Sequence, residues 1–175
     1  GSLPPLWDGE VTVTGPDLPL EDFYAGCGMA EGWRLLEELA PAGDDLWQGR
    51  FDGMAQGIAP AGKSGYCSLL SAVDAILQAA CRIMEETVPR AELAGGRLLW
   101  PQGWRLSGIG FIRFADAGLL CGARMPWRIQ LRRGWDDERL QRYDAQVVDA
   151  DGRVLLTLHQ MEFEKDVRPQ EGAGA

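Results

Sequence analysis

The chain has 175 residues, 46% of them hydrophobic, which suits one domain with a substantial buried core. Lys and Arg number 17 against 26 Asp and Glu, and the net charge of −9 excludes a general phosphate-binding surface, so neither nucleic acid nor an anionic membrane is an expected partner. No stretch reaches the roughly 20 apolar residues of a spanning helix, and the opening GSLPPLWDG has neither a basic nor an apolar leader region, so a cytoplasmic location is expected.

In chain order, GEVTVTG (9–15) alternates like a short strand and is stopped by Gly15-Pro16. PLEDFYAGCGMAEGWRLLEELA (19–40) contains a helix-like run ending at Pro41, in which Trp33, Leu35, Leu36 and Leu39 can share one apolar arc. DDLWQGRFDG (44–53) reads as a strand, followed by the Gly/Pro-rich connection MAQGIAPAGKSG. GYCSLLSAVDAILQAACRIM (65–84) is the long central helix. Strand-like stretches then occupy 96–114, 119–133, 140–152 and 153–165. Asp151-Gly152 joins the last two as a tight hairpin signal, because a two-residue loop demands positive φ. Residues 1–175 read as a single domain whose last ten residues, 166–175, are a linker or flexible tail.

One long apolar helix followed by a run of antiparallel strands predicts an α+β hotdog fold, a curved antiparallel sheet wrapped around the helix. Cys27, Cys67, Cys81 and Cys121 lack CxxC spacing and His159 is the sole histidine, so neither a zinc site nor a disulfide framework is favoured, and the thiols are expected to be reduced and structural. His159, in LLTLHQMEF, follows strand alternation and has no GxSxG companion for nucleophilic catalysis.

At 100° per residue, Leu69, Ala72, Val73, Ile76, Ala79, Ala80, Ile83 and Met84 cover a wide apolar arc of the central helix, leaving Cys67, Ser71, Asp74 and Gln78 on the remaining face. A helix apolar over so much of its circumference is enclosed, so this face is expected to look into a cleft. Burial there raises the pKa of Asp74 toward what a general acid needs, and Gln78, one turn on, can hold the carboxyl or a substrate oxygen. The same pattern also fits an acid on an ordinary solvated stripe.

Asp74-Ala75-Ile76-Leu77-Gln78 reproduces the DxxxQ motif, and AVDAILQAA resembles the LLDAALQ stretch, of dehydratase domains of modular polyketide synthases. LWPQGW (99–104) is similar to their LPFSW segment through Pro101 and Trp104. YDAQVVDADGRVLLTLHQMEF (143–163) resembles their closing hairpin, and FYAGCGMAEGWRLL (23–36) a degraded Y…GLDYGPAFRGL with Trp33 at the Phe position. The resemblance covers residues 20–165 and maps to the C-terminal half of a double-hotdog dehydratase. It implies that Asp74 protonates the leaving hydroxyl of a β-hydroxyacyl thioester while Gln78 orients it, with Ser71, Pro101, Trp104 and Trp33 binding substrate. In that family a histidine of an HxxxGxxxxP motif in the other hotdog half removes the α-proton. No such motif occurs in this chain, Met29, Ala30 and Glu31 replace the Tyr, Gly and Pro of YGPxF, and Leu69-Leu70 replaces the His-Pro before DxxxQ.

Several activities follow from the resemblance: dehydration of carrier-bound intermediates, or, in a recommissioned domain, cyclisation, double-bond shift or chain branching by conjugate addition. A non-catalytic scaffold or carrier-docking domain, and a hotdog thioesterase or ligand-binding module, are the alternatives. No cofactor is expected beyond the phosphopantetheine of an acyl carrier protein that carries the substrate. Expected partners are that carrier protein, neighbouring synthase domains such as a ketosynthase, and a second hotdog half or a second copy of the chain. Because carrier proteins are acidic, the cluster Arg124, Arg128, Arg132 and Arg133 in RMPWRIQLRRGW is the candidate contact, with Trp127 and Trp135 beside a pantetheine arm. Core tryptophans on an ordinary solvated strand fit the same residues.

Overall fold

The computed structural model describes residues 1–51, 65–87 and 104–165, and of residues 65–68 the backbone alone. Helix α1 (Glu21–Cys27) and a 3-10 turn (Glu31–Trp33) precede strands β1 (Leu36–Gly43) and β2 (Leu46–Phe51), then the long helix α2 (Gly65–Met84). Strand β3 (Trp104–Phe114), helix α3 (Ala117–Cys121) and strands β4 (Trp127–Asp136), β5 (Leu140–Val148) and β6 (Val154–Lys165) complete the described elements. The strands form one antiparallel sheet in the order β1-β2-β4-β5-β6-β3.

Alternation along each strand gives the sheet an apolar face. Register aligns Phe51 with Trp127, Ile129 with Val147, and Leu131 with Ala145, and continues through Val147 with Leu156 and Ala145 with Leu158. All of these are buried in one hydrophobic core with Leu69, Ala72, Ala75, Ile76, Ala79, Ala80 and Ile83 of α2. The α+β hotdog architecture read from the sequence is the one observed. β3 differs from the other strands. It lies at the sheet edge, and its residues on the apolar face, Leu106, Ile109 and Ile112, are only partly buried, while Phe114 is 49% exposed.

The opposite face is covered by the N-terminal segment through a chain of side-chain amides. Gln130 Nε2 donates to Gln48 Oε1 at 2.8 Å, Gln146 Nε2 to Gln130 Oε1 at 2.7 Å, and the Leu6 amide to Gln146 Oε1 at 2.8 Å. Each buried glutamine thereby satisfies its neighbour across the strands.

Three sequence expectations are corrected. Residues 9–15 form no strand: the amides of Thr14 and Leu18 bond the carbonyls of Pro41 and Leu39, but Pro41 has no N–H to return and the ladder does not propagate. The stretch 19–40, expected to contain a helix-like run up to Pro41, holds α1, the 3-10 turn and most of β1. Gly28, at φ +62°, closes α1 in the left-handed conformation that favours glycine. In β1 a bulge between Leu36 and Glu38 puts both Leu36 and Leu39 on the buried face, so a strand acquires the three-residue spacing of a helix. The stretch 119–133 begins as α3, capped by Asp116, whose Oδ1 accepts the Leu119 amide at 2.9 Å, and becomes strand only at Trp127. The connection after residue 51, all of 96–103 including Pro101, and the tail 166–175 lie outside the described residues.

The β5–β6 turn has positive φ at Gly152 alone, so it is longer than a two-residue loop. Asp149 organises it: its fully buried carboxylate accepts the Asp151 and Arg153 amides at 2.9 Å each and the Arg153 guanidinium at 2.6 and 2.8 Å. Burial pushes the carboxyl up, but these bonds, led by Arg153, outweigh it and hold the pKa below the usual carboxylate range. A depressed pKa supplies stability that is present above the unfolded value and lost as pH falls through the folded one. Asp149→Ala is expected to cost about 2 kcal/mol at neutral pH. In urea denaturation series, the gap from the parent protein should shrink below about pH 4.

Candidate functional site

Helix α2 places Ser71, Asp74 and Gln78 on one face, as its 100° periodicity requires. Ser71 and Gln78 are fully buried and Asp74 is half-buried. What covers Gln78 is the chain from α1 to the start of β1. The Tyr24 hydroxyl of α1 donates to Gln78 Oε1 at 2.8 Å, and the Leu35 amide reaches the same oxygen at 3.2 Å. Gln78 Nε2 donates to the Trp33 carbonyl at 2.9 Å and to Asp74 Oδ2 at 2.8 Å. Both amide protons of Gln78 are thereby used, so its action is on the carboxyl of Asp74 and it keeps no donor for a substrate oxygen.

The other flank of Asp74 is open and apolar. Leu70, 45% exposed, and the partly buried Val73 and Leu77 lie on the side of α2 away from Ser71 and Gln78. The cleft expected over a polar strip is therefore a covered polar strip beside an open apolar one, with Asp74 at the boundary. Burial raises the pKa of Asp74 and the bond from Gln78 partly opposes it. Asp74 Oδ1 has no hydrogen-bond partner among the described residues, which leaves this oxygen to carry a proton. The Ser71 hydroxyl, one turn earlier, also lacks a partner. The Tyr24 hydroxyl is pushed up to about 12, chiefly by burial, so it stays a donor at neutral pH.

The remaining candidates are distributed as follows. Trp33 contributes its backbone carbonyl to Gln78, while its side chain is 42% exposed. Trp104, at the start of β3, is buried in the core with its indole N–H unpaired. The four arginines do not form one free basic patch. Arg133 is held by Asp45 at 2.7 Å and Asp136 at 2.9 Å, and Arg124 by Asp151 at 3.1 Å. Arg132 faces Asp144 at 3.9 Å and stacks over Trp7, and Arg128 reaches the Asp149 carbonyl at 3.5 Å. Trp127 is a core residue, and Trp135 is exposed and donates to Asp137 at 2.9 Å.

His159 pairs with Phe111 across β3 and β6 and stacks on its ring at 4.1 Å. Its neighbour Leu158 faces α2, so alternation puts His159 on the opposite face of the sheet. As the only histidine of the chain, it leaves Asp74 without an imidazole partner from this polypeptide. Cys27 and Cys81 are buried outside any disulfide, and burial, reinforced by Cys27, Glu85 and Asp74, drives the Cys81 pKa well up, away from nucleophilic use. Sequence reasoning missed Tyr24 as a member of the site. Its one signal was the Tyr heading the Y…GLDYGPAFRGL segment that 23–36 resembles.

No protein-family model matches this sequence, and no curated protein does. Solved structures share the fold. GphF dehydratase 1 superposes with a TM-score of 0.63 at 15% identity over 95% of this chain and 54% of that one. The dehydratase domain of RzxB from Pseudomonas fluorescens gives 0.61 at 16% identity, over 88% of this chain and 54% of that one. The dehydratase domain from the CurJ module of the curacin polyketide synthase gives 0.62 at 11% identity, over 94% of this chain and 54% of that one. The chain thus spans about half the length of these domains, and their fold is the one the DxxxQ resemblance implied.

A raised carboxyl pKa makes the folded protein bind a proton more tightly than the unfolded chain does. Its stabilising contribution is full below the unfolded pKa and is lost as pH rises through the ordinary carboxylate range to the folded value. Asp74→Asn is accordingly expected to be more stable than the parent at about pH 7, and to lose that advantage near pH 3. Urea unfolding at the two pH values checks this, and a difference independent of pH would contradict it.

Proposed function

We propose that this chain is the acid-bearing hotdog half of a dehydratase of the polyketide-synthase type, acting on β-hydroxyacyl thioesters carried by an acyl carrier protein. The observation that carries the reading is Asp74: a half-buried carboxyl with a raised pKa, tethered through Oδ2 to Gln78, with no partner for Oδ1 among the described residues, and bordered by an open apolar strip. An acyl chain lying on Leu70, Val73 and Leu77 brings a β-hydroxyl toward Oδ1. A base removes the α-proton, the α,β double bond forms as the β C–O bond breaks, and the Asp74 proton passes to the departing hydroxyl, giving water and an enoyl thioester. A proton donor to so poor a leaving group must remain protonated near neutral pH, which burial promotes.

The base comes from outside this chain. The part of the similar structures that this chain does not cover amounts to nearly half of each, enough for a second hotdog. The edge strand β3, with Phe111 46% and Phe114 49% exposed and Leu106, Ile109 and Ile112 partly open, is the surface for it. An edge that presents unpaired backbone groups and a row of large apolar side chains is suited to pairing. A carrier protein using Arg124 or Arg132 competes with Asp151 and Asp144 for them.

The test is turnover. Supplied with a histidine-bearing hotdog half, the parent chain should convert a β-hydroxyacyl thioester to the enoyl product, and Asp74→Asn should be slower by about 10²- to 10⁴-fold with its circular dichroism unchanged. Equal rates for the two proteins would sink the acid role, and absence of turnover by either would favour the scaffold reading. Phe114→Asp is expected to weaken association with the second half in sedimentation velocity without altering the chain's own fold. Unchanged association would move the interface elsewhere.

A further inference from the structure

We propose that Tyr24 is a positioning residue for Asp74, acting through Gln78, whose carboxamide it locks in one orientation so that the proton of the acid resides on Oδ1. This rests on the reading of Asp74 as the acid. Two backbone groups beside Gln78 have a polarity that admits no alternative. The Leu35 amide is a donor, and at 3.2 Å it requires an acceptor, so the Gln78 atom it meets is oxygen. The Trp33 carbonyl is an acceptor, and at 2.9 Å it requires a donor, so the atom it meets is nitrogen. Reversing the carboxamide would oppose donor to donor and acceptor to acceptor within a side chain that has no solvent access.

The Tyr24 hydroxyl completes the arrangement. Its oxygen accepts the Leu36 amide at 3.0 Å, so its single proton is directed to Gln78 Oε1 at 2.8 Å. The Gln78 oxygen thereby receives two donors, and the polarised amide presents an N–H to Asp74 Oδ2 at 2.8 Å. An oxygen that accepts a fixed N–H serves best as the carbonyl oxygen of the acid, which makes Oδ1 the favoured site of the proton. Tyr24 touches no reacting atom. It sets which carboxyl oxygen faces the substrate and how strongly the other is held, and it ties that setting to the packing of α1 on α2.

The test reads Asp74 and Gln78 directly and needs no turnover. In the full chain, the Asp74 side-chain carboxyl is titrated by carbon-13 NMR, and exchange of the Gln78 carboxamide protons is followed in the parent, Tyr24→Phe and Gln78→Leu. The parent should show slowly exchanging carboxamide protons whose shifts follow the Asp74 titration. Tyr24→Phe should exchange them about tenfold faster or more and move the Asp74 midpoint upward, because a looser donor opposes burial less. Gln78→Leu should move the midpoint further in the same direction. A folded Tyr24→Phe with the parent's midpoint and exchange rates would overturn the proposal. So would parent carboxamide protons that exchange like those of an exposed glutamine, a result obtained even where Tyr24→Phe does not fold. Failure of the acid reading appears instead as full turnover by Asp74→Asn, which leaves these titrations unaffected.

Discussion

The site depends on one buried carboxamide. Gln78 has no exposure to solvent, so each of its polar atoms must find a partner inside the protein, and the partners come from three separate places. Asp74 lies one turn back on the same helix, Tyr24 lies on α1, and the Trp33 carbonyl and Leu35 amide belong to the chain entering β1. The cost of leaving any of these bonds unmade is what fixes the α1-to-β1 segment over α2. The same bonds leave only one carboxyl oxygen available for chemistry, so packing and reactivity are decided together.

Much of this was legible in the sequence. The central helix was found to its end residues because twenty residues of uninterrupted periodicity leave little ambiguity, and its polar face followed from geometry alone. The hairpin at Asp151-Gly152 was located because glycine at a positive φ is a local requirement, although the buried Asp149 that lengthens the turn was not visible. Failures occurred where local pattern and tertiary structure diverge. The bulge beside Leu36 gave a strand the spacing of a helix, so β1 was read as helical. The arginine run looked basic because its partners lie outside the run, some of them far along the chain: Asp45 is 88 positions from Arg133. Tyr24 escaped for the same reason, being 54 positions from the glutamine it serves.

Alternation explains why the resemblance to dehydratases is incomplete in chemistry while the fold agrees. A strand residue that is one place out of phase is on the wrong side of the sheet, and His159, next to the core residue Leu158, is separated from α2 by the sheet itself. An acid without a base on the same chain is consistent with a polypeptide that spans about half of each similar structure. In the proposed pairing with a second half, the exposed apolar residues of β3 and the open flank of α2 are the surfaces left to be buried on assembly.

The placement of Asp74 on the boundary between covered and open surface couples proton binding to occupancy. A half-buried carboxyl is only partly desolvated, and whatever fills the apolar strip beside it, an acyl chain or the facing half of a larger domain, removes more of its water. By linkage, an occupant that favours the protonated acid binds better when the acid is protonated, and its arrival draws a proton from solution. In the proposed reaction, filling the strip therefore shifts Asp74 toward the protonated form that a general acid needs. On that reading the acid takes up its proton as the site is loaded, and the boundary position of one side chain sets the order of events.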